Sequence, residues 1–294
     1  MKFFLPAILI CFIFSSCEKA INFNLEQSPS KLVVDASIEN GKAPTVVLSS
    51  SLDYFSEINP KILESSFVHN AIITVSNGTK TQQLKEFSIP DTTGYTLYYY
   101  TTDSSDLANA FIGEFNTTYN LSINVNGQVY TSTTHITSVR KEINSVKWKT
   151  APNNPDTNKI VLTANITDPA GYGDYIRYYT SVNDSAFFPA LNSVFDDQIT
   201  DGTTFDVEVE KGVNRNQKID LKNYSFFNRG DTVVIKYCNI DKATFDFWRT
   251  MEFDYQSIGN PFSSPTTVLG NISNGALGAF CGYAAQYFQI IIPK

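Results

Sequence analysis

Residues 121–136 read LSINVNGQVYTSTTHI. Leu121, Ile123 and Val125 alternate with Ser122 and Asn124. A period of two puts one face of a strand in a core and the other in water. Asn126-Gly127 follows, and both residues tolerate the positive φ of a tight hairpin turn. QVYTSTTHI (128–136) then reads as the returning strand. This hairpin sets the class of the chain as antiparallel β.

The same signals recur on either side of it. KLVVDASI (31–38) leads through Glu39-Asn40-Gly41 to PTVVLSS (44–50), and AIITVS (71–76) meets Asn77-Gly78 before KTQQLKEF (80–87). With TLYYYTT (96–102) these make about seven short strands between residues 31 and 137. That number and spacing predict an N-terminal immunoglobulin-like β-sandwich over 31–140. A sandwich of another topology has the same strand count.

A second antiparallel β domain is expected over 141–294. Its strands are INSVKWK (143–149), KIVLTANIT (159–167), DYIRYYTSV (174–182), TFDVEVE (204–210), QKIDL (217–221) and DTVVIKYCNI (231–240), with QIIIP closing the chain. Residues 183–203 read as a long connection carrying Phe187, Phe188 and Phe195. One amphipathic helix is expected at about 241–257. Asp241 is its N-cap, Phe245, Trp248 and Tyr255 lie near one face with Phe247 and Met251 beside it, and Gly259 is its stop.

Composition agrees with this organisation. Of 294 residues, 42% are hydrophobic, too many for a disordered chain. Charged residues make up 17%, with 22 Phe and 16 Tyr beside many Ser, Thr and Asn, a β-rich and turn-rich balance. A net charge of −7 and a pI of about 4.9 argue against a nucleic-acid partner.

The N-terminus reads MKFFLPAILICFIFSSC. Lys2 is a positive n-region, and Phe3–Phe14 is an apolar run too short to span a bilayer. Residues 1–16 are therefore a signal peptide. Ser15 and Ser16 lead straight to Cys17, the arrangement of a bacterial lipobox, although Phe14 stands where Leu is usual. Cys17 is the expected lipidation site, with residues 17–30 as a lipidated tether. Two or three acyl chains satisfy the two-signal requirement for stable anchoring. Glu18, in place of an Asp, favours the outer membrane and leaves its face open.

Cys11 falls in the discarded leader. Cys238 and Cys281 form an even pair in an exported protein: a disulfide requires their strands to be neighbours, and two buried free thiols are the equal alternative. His69 and His135 lie far from both in sequence, so no zinc ligand set is expected. DPAGYGD (168–174) offers Ca²⁺-type oxygens without EF-hand spacing, and a plain turn is the commoner use.

No G-x-S-x-G, H-E-x-x-H, Walker A or dinucleotide motif appears. Asp35, Asp53, Glu57, Asp196 and Asp197 are the acids considered for carboxylate catalysis, and surface acids are far commoner than catalytic ones. No catalytic residue and no cofactor are expected. Tyr54, Phe55, Phe187, Phe188 and Phe195 are candidate aromatics for a ligand or partner; aromatics also plug the ends of sandwiches.

The lipobox, residues 31–55 (KLVVDASIENGKAPTVVLSSSLDYF) and the tail pattern NPF-x2-PT-x4-NI-x-NG-x2-G-x-F-x-GY (260–283) resemble one family over essentially the whole mature chain. That family is the Bacteroidota outer-membrane lipoproteins called domain of unknown function 4249. In the tail, Asn274 and Gly275 supply a turn, and Gly278 and Gly282 permit close backbone approach or a bulge. The resemblance implies an accessory role beside a TonB-dependent outer-membrane transporter, and no reaction. The expectation is therefore a lipid-anchored, noncatalytic accessory protein that binds such a transporter or its glycan or peptide cargo. A surface glycan-binding lipoprotein is the alternative, and a carboxylate-dependent hydrolase the remote one.

Overall fold

The computed structural model describes residues 29–52, 58–90, 94–105, 107–258, 260, 264 and 266–294. The lipidation site Cys17, the tether through residue 28, and Asp53, Tyr54, Phe55, Glu57 and Gly259 lie outside the described residues.

The chain is mainly β. In order its elements are β1 (Leu32–Glu39), β2 (Thr45–Ser50), α1 (Pro60–Ser66), β3 (Ile72–Ser76), β4 (Thr81–Pro90), β5 (Thr96–Thr102), β6 (Thr117–Val125), β7 (Gln128–Ile136), β8 (Glu142–Thr150), β9 (Lys159–Thr167), β10 (Tyr175–Val182), β11 (Phe188–Phe195), β12 (Thr204–Val209), β13 (Phe227–Asn228), β14 (Thr232–Ile240), α2 (Lys242–Ser257) and β15 (Leu277–Ile291). Among the described residues no helix is long and apolar enough to cross a membrane.

The hairpin of 121–136 is present, with Val125 opposite Gln128 and Asn126 and Gly127 at φ +52° and +83°. Eleven strands share one sheet, in the order β11-β10-β14-β15-β1-β2-β5-β4-β3-β6-β7. All pairings in it are antiparallel except β1 with β15, which is parallel. The part from β1 to β7 curls until β7 returns beside β15. Ser273 N–H donates to Thr131 O there, and Thr131 N–H to Ser273 Oγ. This curl encloses a first core of Val34, Ile38, Leu48, Ile73, Leu121 and Ile123 with Phe280 from β15.

β8, β9, β12 and β13 form a second, smaller sheet, with β9 central. It covers one face of β10, β11 and β14 to make a second core, where Ile160, Leu162 and Ile166 meet Ile176, Ile235 and Tyr237. On the opposite face α2 lays Phe245 and Phe247 over Cys238, Ile240, Cys281 and Tyr283. β14 is thus covered on both faces, which explains its nearly unbroken apolar sequence. Asp241 caps α2 by accepting from Thr244 N–H, and its other oxygen accepts from His135 N–H and Thr134 Oγ1. The helix cap therefore ties the first half of the chain to the second.

β15 serves both halves. Its first residues pair with β1 (Ala36 opposite Phe280) and its later residues with β14 (Cys238 opposite Ala285). Where either neighbour stops, an asparagine side chain stands in for a strand. Asn271 Nδ2 donates to Phe280 O and its Oδ1 accepts from Phe280 N–H. Asn40 makes the same exchange with Ala285.

Three expectations change. Residues 183–203 are not one long loop, because β11 runs through them, paired antiparallel to β10 across a register shift. QKIDL (217–221) is turn and loop rather than strand: Asp220 caps the backbone N–H of Lys222 and the amide of Asn223 instead of joining a ladder. Helix α1 was not foreseen, although its Asn59 cap and Pro60 at the first position are ordinary start signals.

Candidate functional site

A cavity of about 390 Å³ lies between the two sheets of the second half. Its walls are the inward faces of β8–β10, β12 and β14, including Ile143, Ile166, Ile176, Val207 and Tyr237. The strands' period of two sends these side chains inward. Its mouth opens along the seam between β11 and β12, each an end strand of its sheet. Phe195 and Ile199 stand at this mouth, 42% and 94% exposed, beside the loose ion pair Arg249–Asp196 at 3.9 Å. The edge of β11 is covered by polar groups. Arg215 and Gln256 donate to Leu191 O, and Glu252 accepts from Ser193 N–H. A large, mostly apolar hollow with few polar groups has the form of a small-molecule site.

Part of the lining is polar. Lys141 and Thr200 belong to it, and both bond Asp168 Oδ2, at 3.0 and 2.8 Å. Lys141 and Asp168 are almost wholly buried. Behind them Arg140 Nε contacts both oxygens of Asp174, at 2.6 and 2.9 Å. Asp197 Oδ2 accepts from the N–H groups of Gly173 and Asp174. Burial alone would raise the Asp197 carboxyl; those amides and Lys141 outweigh it and hold the group below its usual range. Asp174 is raised, by burial first, with Asp168 and Asp197 adding to it against Arg140.

A second polar cluster holds α2 to the sheet. Arg177, 2% exposed, stacks its guanidinium 3.3 Å from the Trp248 ring centroid and 4.8 Å from that of Tyr179. Its Nε donates to Ser193 Oγ, which in turn donates to Glu252. Lys236 continues the row over Tyr179 and Tyr283 and pairs with Glu39. Arginine stacked on rings between two elements is adhesive, and every group here bridges helix to sheet or strand to strand.

The candidate residues from the sequence fall in different places. Phe195 stands at the cavity mouth. Phe187 packs edge-on against Tyr287 at 5.8 Å. Phe188 lies in β11, opposite Thr180. The three do not form one platform. Cys238 and Cys281 are separate buried thiols, pushed up to about 12 by burial. Cys238 faces Ala285, so Cys281 lies four residues along β15, about 13 Å away, beyond the reach of a disulfide. Among the acids, Asp196 lines the cavity, Asp197 accepts from the N–H groups of the 168–174 turn, and Asp35 lies on β1 opposite Ala279.

Sequence reasoning found Phe195 and the 168–174 turn but not the cavity, because its walls come from strands up to about ninety residues apart. Lys141 and Arg177 gave no signal, since nothing local distinguishes a buried cation from a surface one.

The tail glycines have the roles expected of them. A Cβ on Gly278, at φ +94°, would lie 1.9 Å from Val34 O, and one on Gly282 would lie 2.9 Å from His135 O. Comparison with curated proteins gives no match. The family described as domain of unknown function (DUF4249) matches residues 18–288. With nearly the whole chain inside that match, this protein belongs to the DUF4249 family.

Proposed function

We propose that this protein is a lipid-anchored, noncatalytic accessory of the outer membrane, held by Cys17, that receives an apolar ligand or apolar part of a transporter's cargo. The observation that carries the cargo reading is the 390 Å³ apolar hollow opening between β11 and β12. Its volume is in the range of small-molecule sites, and its lining is mainly apolar. The anchor rests on the lipobox, and the partnership with a TonB-dependent transporter on the family resemblance. The glycan alternative draws less support, because Phe187 is used against Tyr287 and Phe188 lies within a strand.

Affinity purification of the full-length chain from solubilised outer membrane, with mass spectrometry of proteins and of an organic extract, tests both parts. A TonB-dependent transporter and an apolar compound are expected to co-purify. Ala164→Phe fills the hollow from the centre of β9; it should keep the transporter and lose the compound. Recovery without any transporter refutes the accessory role. An extract that is the same for wild type and Ala164→Phe refutes the cargo role.

A further inference from the structure

We infer that Asp168, Asp174 and Asp197 bind Ca²⁺ beside the polar part of the cavity wall. One oxygen from each lies within 4.8 Å of the other two. Ligands across a Ca²⁺ ion bound at about 2.3–2.6 Å stand up to about 4.6–5.2 Å apart. The three oxygens therefore already fit one coordination sphere. The residues come from two segments, the DPAGYGD turn and the bend just after β11. The turn bends through Gly171 and Gly173, at φ +116° and +113°.

A second observation is independent of that spacing. The Asp168 side chain is fully buried, and its Oδ1 has no hydrogen-bond partner among the described residues, while Oδ2 is taken by Lys141 and Thr200. Folded proteins rarely leave a buried carboxylate oxygen without a donor, water or ion. Charge points the same way. Three carboxylates face two cations, Arg140 and Lys141, leaving a negative excess in a buried place. An all-oxygen donor set selects a hard cation over zinc or copper.

The test is a Ca²⁺ titration of the chelator-treated full-length chain in nanodiscs, read by thermal unfolding and by Tb³⁺ luminescence. Tyr237, which feels the charges of Asp168 and Asp174, is the expected sensitiser. At roughly a hundredfold excess over Kd, Tm should rise by about 5 °C or more, and Ca²⁺ should quench the Tb³⁺ emission. Asp168→Asn would strand Lys141 in the interior, so Asp197→Asn and Asp174→Asn are the variants used, with folding checked by circular dichroism. Each should abolish both signals. Asp206→Asn, bonded to Asn165 on the exposed face of the second sheet, should leave both intact. A wild-type chain with no Tm shift and no sensitised emission overturns the inference. So does a Ca²⁺ response that survives in both variants.

Discussion

Replacing Asn271 with alanine tests how one strand serves two halves of the molecule. Phe280 is fully buried, and its N–H and C=O point away from β1 to a place beyond the end of β14. Asn271 satisfies both, at 2.8 and 2.9 Å, and its Oδ1 also accepts from Ser132 Oγ at 3.0 Å. Alanine leaves two buried backbone groups unpaired, each costing about 1–3 kcal/mol. The expected loss is therefore about 2–6 kcal/mol, a large share of the 5–15 kcal/mol typical of a folded domain. Urea unfolding of the full-length chain in nanodiscs gives the loss, and hydrogen exchange at the Phe280 amide gives its location. Asn40→Ala should produce a similar loss, with faster exchange at Ala285 instead. The two sites lie about 16 Å apart along β15, far enough for their effects to add. A loss under about 0.5 kcal/mol for Asn271→Ala, or unchanged exchange at Phe280, would refute the surrogate-strand account.

Gly278→Ala should destabilise by more than about 2 kcal/mol, since it combines left-handed backbone with a Cβ 1.9 Å from Val34 O; Gly275→Ala, at φ +72° with open space around it, should cost only about 1 kcal/mol. Similar urea midpoints for the two would count against close approach as the cause. Glu252→Ala should cost about 3 kcal/mol by stranding Ser193 and the neighbouring Arg215, and should weaken the near-ultraviolet signal of Trp248. An unaltered spectrum would show that Glu252 does not dock α2. Burial alone would raise Glu39, but Lys236, Lys42 and Tyr287 outweigh it and hold its carboxyl below the ordinary 4.5. Its stabilisation is thus complete above that value and lost as pH falls through the folded-state value. Glu39→Gln should therefore flatten the fall in urea midpoint between about pH 5 and pH 3, and an equally steep fall would refute the assignment.

Much of the strand content was readable because it depends on neighbours in sequence. The alternation of 121–125 and the Asn-Gly pairs at 126–127 and 274–275 act within a few residues, as does the Asp241 cap, and each is present in the structure. Residues 183–203 read as a loop because a strand containing Pro189 and ringed by turn residues carries a weak local pattern; pairing with β10 and cover from Arg215 and Gln256 make it a strand. QKIDL erred the other way, its apolar residues lacking any partner strand to complete a ladder.

The sequence by itself determined a mainly β chain with one long capped helix and a turn-forming tail, because periodicity, turn chemistry and caps are local. Only the tertiary structure decided that this tail joins two cores through Asn40 and Asn271. It alone decided that Cys238 and Cys281 stand apart, and that Asp168 meets Asp197 behind an apolar hollow. Those relations depend on which strands become neighbours, and that is settled by the summed burial of many distant side chains rather than by any short stretch of residues.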